Sequence, residues 1–217
     1  GLLSGVMFAK GLAKGLNKPI VGVNHLAAHC FSVKMLHKLD FPYLTLLVSG
    51  GHCQFLIVKG VDNFYRLGGT IDDAPGECFD KIASFLGIGY PGGPIIETRS
   101  KKGNEERFDF PKPMYDSTFN MSFSGLKTAV KRETENLIKK QGGLYQKDIN
   151  DICASFQKTA IEIFKLKTKN AIKFFYEKYQ NHKNHKSLAV VGGVAANEKI
   201  RTAKAAIAGL TSGNTIL

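Results

Sequence analysis

Leu44-Thr45-Leu46-Leu47-Val48-Ser49-Gly50-Gly51-His52-Cys53-Gln54-Phe55-Leu56-Ile57-Val58 is the stretch on which the reading of this chain turns. Two apolar runs rich in strand-forming residues flank a Ser-Gly-Gly-His turn, the pattern of two buried antiparallel strands joined by a tight hairpin. Consecutive glycines let the backbone take positive φ and bring bare N–H groups close to a ligand. The turn is therefore either an ordinary hairpin or a concave nest for phosphate.

Working outward, the 217 residues are 43% hydrophobic and 22% charged, the composition of a globular, core-forming chain. The net charge of +12 means an anionic partner, nucleic acid first, or merely a solvated basic surface. Cys30, Cys53, Cys78 and Cys153 lie far apart with no CxxC pair, which argues against a zinc ribbon or a disulfide framework and fits a reducing compartment. No run reaches the roughly 18 apolar residues of a membrane span, and no membrane partner is expected.

Before the hairpin, Leu2, Leu3, Val6, Met7, Leu12 and Leu16 recur at helical spacing, and Ile20 to Val23 reads as a short strand. Asn24 then caps a helix that carries His25 and His29 on one face at i and i+4. Two imidazoles so placed either chelate one metal ion or are unrelated polar residues. Leu26 stands where a zinc protease would have glutamate, and no HExxH occurs, so a metalloprotease is disfavoured.

After the hairpin, Phe64 to Leu67 predicts a strand, and Asp72 to Glu77 leads into a helix that buries Phe79, Ile82, Ala83 and Leu86. Asp80 beside that face is either a solubilising charge or a carboxylate turned into a cleft. Gly89-Tyr90-Pro91-Gly92-Gly93-Pro94 is a glycine-rich loop before a helix start. Ser124 reads as the cap of a basic helix running to about Lys140, and residues 148–179 as a long helix with an apolar stripe. Lys165, Lys167, Lys169 and Lys173 flank that stripe, as a solvated face first and a nucleic-acid track second, and His182 and His185 read as exposed. Ser187 to Val191 is a buried strand running into Gly192-Gly193 and a predicted helix from Glu198 to Ala208. Strand, glycine pair and helix start together are the geometry of a nucleotide site, where Asn197 caps the helix or bonds a base or ribose. Residues 208–217 carry no readable motif.

In order along the chain stand His25-Leu26-Ala27-Ala28-His29, Leu47-Val48-Ser49-Gly50-Gly51-His52, Leu67 to Asp73 with Gly76-Glu77-Cys78-Phe79-Asp80-Lys81, Gly89 to Pro94, Ser122 to Ala129, Ala154-Ser155-Phe156-Gln157 and Gly192 to Asn197. This series closely resembles the TsaD/Gcp family, the tRNA adenosine threonylcarbamoyltransferases. The resemblance implies an α/β protein with an actin/Hsp70-like (ASKHA) fold of ribonuclease-H-like halves. The first half is incomplete, with residues 1–45 its remainder and residues 46–217 the second half. It implies transfer of a threonylcarbamoyl group from threonylcarbamoyl-adenylate to the exocyclic amine of the adenosine next to the tRNA anticodon, in the cytoplasm and with homologous or accessory subunits. His25 and His29 are then metal ligands for one divalent ion, iron or zinc. Leu47, Val48, Ser49, Gly50, Gly51, Asp80, Gly93 and Asn197 are adenylate contacts, and no general base is assigned. The resemblance also implies truncation at both ends, since a Cys-Thr-Asp-Asn stretch carrying a third, aspartate ligand is absent, and Ala27 and Gly69 stand where the family often has glutamate. The alternative expectation is a catalytically inactive truncated relative that serves as a nucleotide-binding or scaffold subunit.

Overall fold

A computed structural model describes residues 2–182, 187–193 and 214–216. Its centre is a five-stranded mixed sheet in the order β3-β2-β1-β4-β5, formed by β1 (Tyr43–Val48), β2 (Cys53–Gly60), β3 (Asn63–Gly69), β4 (Ser187–Val191) and β5 (Asn214–Ile216). The predicted hairpin is present: β1 and β2 pair antiparallel from Tyr43 with Val58 to Val48 with Cys53. β4 pairs parallel with β1 on the other side, and β5 parallel with β4. β5 falls in the residues that carry no motif. Three residues have too short a period to read, and only the neighbouring strand makes them one.

All six residues of β1 are buried because both faces of the sheet are covered. Leu44, Leu46 and Val48 enter the larger core beneath α3 (Pro75–Phe85), α4 (Gly92–Ser100), α5 (Ser124–Gln141) and α6 (Gln146–Tyr179). Tyr43 and Leu47 enter a smaller core under α2 (His25–Leu36), with Cys30, Val33, Leu56, Val58, Ala189 and Val191. Alternation along a doubly covered strand yields the continuous apolar run seen in the sequence.

Helix ends explain several departures from expectation. Asn24 does cap α2, accepting from the Leu26 and Ala27 amides at 3.0 and 3.1 Å. Residues 20–23 form no strand; Ile20, Val21 and Val23 are exposed, and among the described residues no strand pairs with them. Likewise α1 (Leu2–Gly15) forms as predicted but leaves Leu3, Val6, Met7, Phe8 and Leu12 exposed. Ser124 is the first residue inside α5 and not its cap; Phe123 holds that position. The Ser124 hydroxyl instead donates to Asp72 at 2.7 Å.

Two ionic ties fix the loop between α4 and α5 onto α6. Arg107 donates to Asp148 at 2.6 Å and to Asp151 at 2.8 Å, both carboxylates being almost wholly enclosed. Burial pushes these carboxyls up, but the Gln141, Arg107 and Tyr145 donors at Asp148, and the Asn104 amide with Arg107 at Asp151, hold both below the ordinary range. Lys167 corrects the reading of a solvated lysine face. Its side chain is 0% exposed, and its ammonium donates to the Asp116 carboxylate at 2.5 Å and to the Thr118 carbonyl at 3.0 Å. Lys165, Lys169 and Lys173 are exposed as expected.

Lys167→Ala should lower unfolding free energy by about 2–3 kcal/mol, since it strands loop carbonyls beside a cavity. Lys165→Ala should change it by less than about 0.5 kcal/mol in the same urea titration. Depressed carboxyls stabilise fully above their unfolded value near 4 and lose that contribution as pH falls through the folded value. Stability should therefore drop below about pH 4, and Arg107→Met should both cost about 3 kcal/mol at pH 7 and flatten that acid limb.

Candidate functional site

At the carboxyl ends of β1 and β4, the Ser49-Gly50-Gly51 turn and the Gly192-Gly193 pair lie side by side. The Ser49 amide donates to the His52 carbonyl at 2.7 Å and the His52 amide to the Ser49 hydroxyl at 3.1 Å, which closes the turn tightly. Neither Gly50 nor Gly51 uses positive φ, contrary to the sequence argument, whereas Gly192 does at +102°. A side chain on Gly192 would meet the Val48 carbonyl oxygen. Leu47 and Val48 themselves have their side chains in the two cores, so only their backbone can face a ligand.

The first turn of α3 backs the hairpin turn. A Cβ on Gly76 would lie 2.7 Å from Gly50 Cα, and the Glu77 amide donates to the Gly50 carbonyl at 3.1 Å. One helical turn further, Asp80 caps a neighbour, a role in neither of its two readings: its Oδ1 accepts from the Gly92 amide at 2.7 Å and pins the start of α4. Gly92 has no room for a side chain against the Phe79 carbonyl, while Gly93 beside it faces open space. Gly50, Gly51 and Gly193 are equally open. The α3 start and the β4 exit meet the hairpin-turn segment backbone to backbone, and the α4 start packs on α3 at Phe79 and Asp80; these segments together are the candidate backbone cradle. At the α3 start the Glu77 amide is spent on Gly50 and at the α4 start the Gly92 amide on Asp80, and Pro75 and Pro94 carry no N–H, which leaves the Gly76 and Gly93 amides as the first-turn donors available to an anion. Asn197 and the helix predicted from Glu198 to Ala208 lie outside the described residues, as does His185.

Sequence reasoning missed the node beneath the cradle. Asp72 accepts from the Ser122 hydroxyl at 2.5 Å, the Phe123 amide at 2.9 Å and both the hydroxyl and the amide of Ser124, tying the start of α5 to the approach to α3. Asp73 next to it pairs with Lys81 at 3.0 Å and with Lys127. Desolvation pushes the Asp72 carboxyl up, yet the two hydroxyls and two amides outweigh it, and the group stays below the usual range. Two adjacent aspartates before Ala74-Pro75, with Ser122 and Ser124 framing a distant helix start, were the available signal. Sequence spacing alone cannot show that they meet.

His25 is exposed and His29 half-buried, with ring centroids 4.6 Å apart and planes crossing at 72°. The i, i+4 juxtaposition is therefore real. Beside it an apolar groove of about 620 Å³ is lined by Asn24, Leu26, Ala27, Gln54, Leu56 and Phe64. Gln54 pairs with Leu47, so the start of α2 lies at the hairpin-turn end of the sheet. As a donor set the pair supplies two imidazoles, and among the described residues no group of three His, Cys, Asp or Glu could hold an ion. Two imidazoles are fewer ligands than a metal centre takes, so the pair would need further ligands to complete one.

All four cysteines are buried thiols. Burial pushes Cys30 up to about 11 and Cys78 and Cys153 up to about 12, so these three are not thiolate nucleophiles at neutral pH. Among the described residues no helix is long and apolar enough to cross a membrane.

Fold and site together define a mixed α/β protein with glycine-lined segments gathered at one end of its central strands. A family model described as TsaD, tRNA N6-adenosine threonylcarbamoyltransferase, matches residues 1–214. The chain belongs to the TsaD family. The enzyme of that name from Cereibacter sphaeroides (strain KD131 / KCTC 12085) is 51% identical over 209 residues, 96% of this chain and 57% of the relative. The one from Paracoccus denitrificans is 50% identical over 209 residues, 96% of this chain and 56% of the relative. The chain thus spans a little over half the length of the curated relatives it matches. Among solved structures, HypF from T. kodakarensis superposes with a TM-score of 0.62 at 16% identity, covering 97% of this chain and 36% of that one. Full-length HypF in its phosphate- and nucleotide-bound form gives 0.58 at 13% identity, covering 94% of this chain and 41% of that one. These two likenesses establish a shared fold.

Replacing Gly192 by Ala combines positive φ with a backbone collision, and should cost at least about 2 kcal/mol in thermal unfolding. Gly193→Ala should be tolerated within about 0.5 kcal/mol.

Proposed function

We propose that this chain contributes the adenylate cradle of a tRNA threonylcarbamoyladenosine transferase. The substrate is threonylcarbamoyl-adenylate. The exocyclic amine of the adenosine next to the anticodon attacks its carbamoyl carbon, a C–N bond forms, and the bond to the phosphate oxygen breaks. AMP leaves, and the amine gives up one proton. The observation that carries the reading is the grouping of the Ser49 to Gly51 turn, the α4 start at Gly92 and Gly93, and the β4 exit at Gly192 toward the carboxyl ends of β1 and β4, in a chain of this family. Backbone amides aimed at the phosphate stabilise the charge that gathers there as AMP departs. Asp80 fixes α4 so that Gly93 borders the cradle, and Asn197 is assigned to the adenosine.

His25 and His29 are assigned as two ligands of one divalent ion, iron or zinc, with the remaining protein ligand contributed from outside these residues. When bound, such an ion supplies a Lewis acid for a carbonyl or threonyl oxygen. The sheet is read as part of the second ribonuclease-H-like half of an actin/Hsp70-like fold, residues 46–217, with residues 1–45 as the remainder of the first. Likeness to HypF across 97% of the chain supports that reading. tRNA, homologous or accessory subunits of the transfer complex and a cytoplasmic setting complete it.

The test is calorimetry with AMP and a stable threonylcarbamoyl-adenylate analogue. Gly50→Ala, Gly51→Ala and Gly93→Ala should leave the melting temperature within about 2 °C, because a methyl group meets nothing there, and should weaken nucleotide binding by at least about tenfold. Unchanged affinity in all three would overturn the cradle. His25→Ala/His29→Ala should abolish metal uptake measured by elemental analysis while leaving AMP affinity in place.

A further inference from the structure

Tyr65 lies on β3, the outermost strand of the sheet, and is 44% exposed. Two lysines reach the same ring: Lys59 from β2 with its nitrogen 5.3 Å from the centroid, and Lys178 from the last turn of α6 at 5.4 Å. Lys178 also stands 5.3 Å from the Phe174 ring, which meets Phe119 edge to face. Among the described residues, neither ammonium has a carboxylate partner, whereas Lys173 on the same helix leans toward Glu177.

Two cations held at one ring repel each other. The electron-rich face of tyrosine offsets part of that repulsion. It does not neutralise the pair, and the surplus faces solvent on a chain that carries +12 overall. A ligand that relieves the surplus needs regularly spaced anionic charge, and one that also uses the exposed ring and the Phe174 edge needs flat unsaturated groups. Single-stranded nucleic acid has both, because phosphates neutralise the lysines and bases lie against aromatic rings. An acidic peptide offers the charge without the flat groups.

We infer that Lys59, Tyr65 and Lys178 form an RNA-contacting surface on the β3 edge, which engages an unpaired segment of the tRNA away from the glycine cradle. The choice of RNA rests on the transferase reading above. The register separates the two places: Gly69 at the cradle end of β3 pairs with Gln54, and Tyr65 pairs with Ile57 further along the strand. The surface contributes affinity and orientation and takes no part in bond making.

The experiment is fluorescence anisotropy of a labelled, unmodified tRNA transcript against the 217-residue chain over a series of salt concentrations. Lys59→Ala/Lys178→Ala is compared with Lys139→Ala/Lys140→Ala, which removes the same charge from the exposed end of α5. The first variant should bind about tenfold more weakly at low salt, with the slope of log K against log salt reduced by about 1.4–1.8, while the second changes binding by less than about twofold. Tyr65→Leu keeps both charges and should weaken binding about fivefold with the slope nearly unchanged. Equal losses in the two double variants, or parental affinity in the first, overturn the surface, as does competition by polyglutamate as strong as that by unlabelled RNA. AMP calorimetry on the same samples separates the two ideas. Loss of RNA discrimination with AMP binding intact removes this surface alone, whereas RNA binding through Lys59 and Lys178 in a chain that binds no AMP removes the transferase reading alone.

Discussion

The parallel pairing of β1 with β4 requires two backbones to pass within touching distance at the end of the pair. At that point Gly192 turns at φ +102° against the Val48 carbonyl, where no side chain fits. Everything at the cradle depends on this contact. It sets the β4 exit beside the Ser49 to Gly51 turn, and the turn in turn seats the first helical residues of α3 through the Gly76 to Gly50 approach. The same device recurs between Gly92 and the Phe79 carbonyl, where Asp80 supplies the hydrogen bond that locks it. Three close backbone approaches, each possible only at glycine, assemble one surface from segments more than a hundred residues apart.

Much of this was legible in the sequence where a pattern repeats or a cap is local. The Leu44 to Val58 hairpin declares itself through two runs and a turn, and its register follows from a short loop. Asn24 caps α2 through side-chain geometry confined to three residues, and His25 and His29 meet because α2 is a helix. The stripe Ile149, Ile152, Phe156, Ile163 marks α6 over most of its 34 residues. Ile20 to Val23 has strand composition but no neighbour to pair with, so composition without a partner misleads there. β5 is the converse, a strand made by its neighbour and not by its residues.

What the sequence concealed is chiefly polar chemistry between distant segments. Lys167 looks like its neighbours Lys165 and Lys169, and one helical step decides whether the chain beyond residue 110 folds over it. Asp72 precedes α3 in the sequence, yet its acceptors are spent on the start of α5 fifty residues later. Charged and polar side chains carry no period of their own, so their partners appear only when the fold brings them together. Burial then gives these ties their weight, because Asp148, Asp151 and Lys167 would be costly to leave without counterparts.

The glycines divide by whether the fold explains them. Gly76, Gly92 and Gly192 are required by backbone contacts inside the molecule. Gly50, Gly51, Gly93 and Gly193 use no positive φ and would meet nothing with a side chain, so folding would run at least as well with alanine. A glycine that the fold does not need costs conformational entropy without any return inside the protein. Four of them border a single cleft whose walls are helix starts and strand ends. Their bareness leaves the backbone open on the solvent side, where the proposed ligand would come within van der Waals reach of it. A phosphate group held by amides makes that demand, and it is the demand the proposed acyl-adenylate would bring.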